Sequence, residues 1–63
     1  MDYKAARDKA EEIVYVNYCL GSIVEGCKQR SISVLTKRGR PRPRADMEAD
    51  LIEAMTKEFE GRA

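Results

Sequence analysis

Residues 37–44 read KRGRPRPR, and no α-helix can run through them. Pro41 and Pro43 have no amide proton to donate and clash with the preceding helical turn, and each pushes the residue before it, Arg40 and Arg42, towards extended backbone. The stretch therefore splits the chain into an N-terminal segment and a shorter C-terminal one. Any core has to bring the two together across a run of positive charge. At 63 residues the chain is one domain at most, near the size at which a single core barely offsets its own ordering entropy. With two cysteines and no histidine or tryptophan, neither a disulfide framework nor a common zinc site can be assembled, and no metal or other cofactor is expected. Self-association is the staple that remains.

The N-terminal segment has helical periodicity. Ala6, Ile13, Val16, Leu20, Val24 and Cys27 recur at steps of three and four, with Ile23 alongside, which predicts one long helix over residues 2–28. Val14, Tyr15 and Tyr18 point away from that stripe, so the middle of the helix is apolar nearly all round. Such a helix calls for burial on two sides: against the C-terminal segment and against a second copy. The expected oligomer interface, a dimer being favoured, comprises Ile13, Val16, Asn17, Leu20, Ile23, Val24 and Cys27, with Asn17 able to fix register as buried asparagines do in coiled coils. Cys19 and Cys27, two helical turns apart, read as small buried apolar residues.

After Gly26 and a polar run, residues 31–36 (SISVLT) alternate polar with apolar and read as a short strand or an extended piece. Residues 37–45 form a basic arm. Asp46 is a natural N-cap for a second helix over 46–60, with Glu48 and Asp50 at its positive dipole end. Met47, Leu51, Ile52, Met55 and Phe59 make its apolar stripe, Glu53 with Lys57 an exposed pair, and Gly61 its stop. The fold class expected is mainly α: a long N-terminal helix, a strand or extended basic arm, and a short amphipathic helix, packed as a helical oligomer.

Charge is segregated in a way the net value of +1 conceals. Lys28, Arg30, Lys37, Arg38, Arg40, Arg42 and Arg44 fall within residues 28–44 with no acid among them. The rest of the chain carries five cations against all eleven acids, a net of −6. Such a block repels itself unless something anionic neutralises it: a solvated linker would leave that to water, and the acids of the second helix could do it internally. Arginine outnumbers lysine in the run, and the planar guanidinium suits phosphate and groove contacts better than an ammonium. The expected nucleic-acid-binding residues are Lys37, Arg38, Gly39, Arg40, Pro41, Arg42 and Arg44.

Within this block Arg38-Gly39-Arg40-Pro41 resembles the core of the AT-hook, a short peptide motif of chromatin proteins. The resemblance implies binding in the minor groove of A·T-rich DNA. Gly39 would let the backbone approach the floor of a groove about 6 Å wide while Arg38 and Arg40 extend along it, drawn by the negative potential of the narrow groove. It covers four residues. Lys37 stands where the family usually has a proline, and there is one copy where the family often has several; an oligomer would restore valency.

Other chemistry is excluded or weak. No histidine, nucleophile–base pairing or phosphate-cradling glycine loop is present, so an enzyme is not expected. A helix-turn-helix fits poorly, because the alternation at 31–36 argues against a recognition helix there. The apolar-rich stretch from Ile13 to Val24 is too short to span a bilayer, and the opening residues show no signal peptide, which points to a cytoplasmic protein. Two functions follow from the residues: a DNA-binding regulator or architectural dimer presenting arginine arms, or a small interaction protein of the phage- or plasmid-type modulator kind that binds another protein.

Overall fold

The computed structural model describes residues 1–61. Three α-helices account for most of them: α1 (Tyr3–Glu12), α2 (Leu20–Gln29) and α3 (Arg44–Glu60), with a π-helical turn (Ile13–Asn17) continuing α1. No sheet forms among the described residues; the single β-type contact is an isolated antiparallel bridge between Leu35 and Pro41.

α1 starts where Asp2 caps it, accepting from the Ala5 amide at 2.8 Å. Its small buried residues, Ala6 and Ala10, let it lie close along α3, and Lys9 Nζ sits 4.9 Å from the centre of the Phe59 ring. The expected single helix over 2–28 is not what forms. Ile13, Val14 and Val16 are β-branched, and Tyr15 and Tyr18 lose rotamer freedom in a helix, so propensity is weakest here. The chain widens to a π turn, then leaves the helix altogether at Tyr18 (φ −95°, ψ 130°) and Cys19 (φ −84°, ψ 175°). The wide turn and the two extended residues shift the phase of everything after Glu12. Val14, expected to point away, is fully buried; Val16 and Leu20, expected on the buried stripe, are 74% and 49% exposed.

α2 restarts with Cys19 at its N-cap and closes through a Schellman arrangement: Ile32 N donates to Cys27 O at 2.8 Å and Ser31 N to Lys28 O at 3.2 Å, with Ser31 in the left-handed region at φ 58°. Gly26, read from the sequence as weakening the helix end, lies inside α2 and is buried. A Cβ there would stand 3.2 and 3.3 Å from the two methyl carbons of Leu51, so the glycine sets how closely α2 approaches α3.

α3 is the core-forming element. Met47, Leu51, Ile52, Met55 and Phe59 are all buried, as their spacing predicts, against Ala6, Ala10, Val14, Ile23 and Cys27. Each large side chain removed from water contributes about 1.5–3 kcal/mol. Thr56 is buried with them and satisfies its hydroxyl on Ile52 O at 2.7 Å. Glu53 and Lys57 form the expected exposed pair at 3.5 Å, and the helix ends at Gly61. It begins two residues earlier than expected: Pro43 occupies the N-cap position and Asp46 lies in the first turn instead of capping it. None of the described helices is long and apolar enough to cross a membrane.

Candidate nucleic-acid interface

Residues 31–36 and 37–45, expected as a strand followed by an arm, form one irregular hairpin. Ile32 and Val34 turn inwards onto the core. Arg42 N donates to Val34 O at 3.0 Å and Thr36 N to Arg40 O at 2.6 Å, while Gly39 N closes the tip on Thr36 O at 2.9 Å. The Thr36 hydroxyl adds a contact from Arg40 N at 3.2 Å. Gly39 lies at φ +79°, a region that side chains of L-residues rarely enter.

The hairpin sorts the cations of the block into two groups. Arg42 is anchored: it donates to Ser33 O at 2.9 Å and to Asp50 Oδ2 at 2.8 Å. Arg44 reaches Glu48 within α3 and the Tyr18 carbonyl, both at 3.3 Å. Arg30 grips both carboxylate oxygens of Glu58, at 2.6 and 3.1 Å, and this partner raises its pKa further above the ordinary guanidinium value. Lys28, Lys37, Arg38 and Arg40, by contrast, make no ion pair with the described residues. Lys37, Arg38, Gly39, Arg40 and Pro41 are all exposed, and the first four form the tip of the hairpin.

The expected interface for DNA thus divides. Arg42 and Arg44 are held by this chain's own carboxylates, so they do not belong to a free arm; their ion pairs across the hairpin base correct the picture of an extended tether. The R-G-R-P run is bent at Gly39, whereas the resemblance implies an extended backbone in a groove. What remains presented is a compact cationic tip of Lys37, Arg38 and Arg40.

The expected oligomer interface divides too. Ile23 and Cys27 are fully buried in the chain's own core, with Cys27 Sγ directed at Met47 O at 3.8 Å, so neither is available to a second copy. Ile13 and Val24 are half-buried, and Val16, Asn17 and Leu20 are exposed. Cys19, expected to be buried, is exposed. The hydrogen bond to the Ser22 hydroxyl, followed by the amides of Ser22 and Gly21, lowers its thiol pKa, whereas burial raises that of Cys27.

Sequence reasoning missed an apolar groove of about 320 Å³ beside the hairpin, lined by Leu20, Val24, Val34, Leu35, Pro41 and Met47, with Lys28, Arg42 and Arg44 along it. The alternation of residues 31–36 was the only signal, and it gave no indication that the returning arm would face α2. Among the described residues no group of three or more acids, cysteines or histidines is placed to hold a metal ion. Compared with models of known families, with curated proteins and with solved structures, the chain matches none.

Proposed function

We propose that this is a non-enzymatic DNA-binding protein, a small regulator or architectural factor, which engages the sugar-phosphate backbone and the adjoining minor groove with its hairpin tip. One observation carries the reading: Lys37, Arg38 and Arg40 stand exposed on a single turn without a carboxylate partner among the described residues, while Arg30, Arg42 and Arg44 of the same block are each matched to an acid. A solvated linker would have no reason to fold so that its outermost cations are the uncompensated ones. Three clustered cations on a fixed turn lose little conformational entropy when they meet phosphates, and each contact releases counterions.

One tip gives weak binding, and two copies side by side would give two. The seam for such a homodimer is Ile13, Val16, Asn17 and Leu20, the part of the expected interface that the fold leaves accessible. A cytoplasmic location goes with this reading. Titration of A·T-rich and G·C-rich duplexes across a salt series tests it. Binding should weaken as salt rises, favour the A·T-rich duplex, and lose about two units of salt slope in Arg38→Ala/Arg40→Ala, one for each phosphate contact removed. Unchanged binding in that variant overturns the proposal.

A further inference from the structure

The groove between α2 and the hairpin lies apart from the tip, and none of Lys37, Arg38 and Arg40 lines it. Its floor is apolar: Val24, Val34, Leu35 and Met47. Leu20 and Leu35, at its edges, are each 49% exposed. Leaving such a surface in water forgoes about 25 cal/mol for every Å² that a partner could cover. The charged residues along the groove are all cationic. Lys28 has no ion pair with the described residues, and Arg44 is held by an ion pair within its own helix, at 3.3 Å and half-exposed.

These two properties select the occupant. A second copy seated by two-fold symmetry would bring the Lys28 and Arg44 edges of both chains together, placing like charges in a partly dry interface. A nucleic acid would satisfy the cations but offers its phosphates nothing to lay on the apolar floor. A ligand that is at once apolar and acidic satisfies both. An amphipathic helix delivers this in one element: apolar side chains at i, i+3 or i+4 and i+7 enter the groove while its carboxylates flank Lys28 and Arg44. We infer that this groove is a docking site for an acidic amphipathic helix of another protein, separate from the DNA-contacting tip and able to act at the same time.

Selecting random peptides, long enough for several helical turns, on the intact chain tests the inference. The peptides enriched should carry apolar residues at helical spacing among Asp and Glu. The best of them, made synthetically and followed by fluorescence anisotropy, should lose about tenfold or more in affinity, some 1.4 kcal/mol, with Leu35→Asp. Because Leu35 is half-exposed, circular dichroism should show that variant folded. Lys28→Glu should weaken the same peptide, and exchanging the peptide's flanking Glu for Lys should restore it. Arg38→Ala/Arg40→Ala should leave the peptide's affinity unchanged, so that failure of DNA binding and failure of docking are read separately. The inference is overturned if no acidic amphipathic peptide is enriched, or if Leu35→Asp does not weaken the selected peptide. It is equally overturned if the tip variant weakens the peptide as much as Leu35→Asp does, or if the chain alone sediments as a dimer that Leu35→Asp splits, which would make a second copy the occupant.

Discussion

Arg42 and Asp50 meet across the base of the hairpin, Nη2 to Oδ2 at 2.8 Å, while the other arm of the same guanidinium holds the Ser33 carbonyl at 2.9 Å. One side chain from the most basic stretch thereby ties both arms of the hairpin to α3 and keeps the tip pointing away from the helices. Asp50→Ala should cost about 1 kcal/mol of stability in urea unfolding, a modest value because the carboxylate is partly solvated. The same variant frees a cation, so its DNA binding should depend more steeply on salt than that of the unmodified chain.

Two residues sit in the left-handed region, and they should respond oppositely to substitution. At Gly39 a Cβ would meet nothing within 4 Å, so Gly39→Ala carries only the backbone penalty of φ +79°. Thermal unfolding should register a loss of about 1 kcal/mol, and DNA affinity should fall although no charge has changed. At Ser31 (φ 58°) the strain is already present. Ser31→Gly should relieve it and raise stability by up to about 1 kcal/mol.

The contact between Gly26 and Leu51 fixes the separation of α2 and α3. Gly26→Val places methyl groups where the Leu51 methyls already stand, and Leu51 is fully buried with no room to withdraw. A destabilisation of about 1–3 kcal/mol is expected from chemical denaturation. Gly26→Ala should also destabilise, despite the better helix propensity of alanine.

Val14 and Val16 differ by two positions and by their whole environment: 0% against 74% exposed. Val14→Ala should cost about 2 kcal/mol by opening a cavity under α1. Val16→Ala should change stability by less than about 0.5 kcal/mol. Val16→Asp, followed by sedimentation, checks the dimer seam: the variant should be monomeric where the unmodified chain associates.

The two thiols should be separable by alkylation. Iodoacetamide should label exposed Cys19 in the folded protein, and at lower pH than an ordinary thiol requires, since its hydrogen bonds at the start of α2 favour the thiolate. Cys27 should react only when urea unfolds the chain. Mass spectrometry of digested samples distinguishes the sites, and equal labelling of both under native conditions would contradict the burial of Cys27.

Several features were legible from the residues in order. The prolines at 41 and 43 end helical structure, the spacing of Met47, Leu51, Ile52, Met55 and Phe59 defines the buried face of α3, and the positive charge collects between Lys28 and Arg44. Each of these depends on nearest neighbours or on a simple period, which is why composition and spacing suffice. The break at Tyr18 and Cys19 was not legible. A π turn alters the count of residues per turn, and once the phase slips, a stripe read at constant period assigns Val14 and Val16 to the wrong sides. The fate of the arginines was not legible either. Whether Arg42 meets Asp50, and Arg30 meets Glu58, depends on how α2, α3 and the hairpin pack, and residues 8 and 28 positions apart become neighbours only through that packing. Sequence determined that the charge would be concentrated; tertiary structure decided which cations are neutralised within the chain and which are left at the tip.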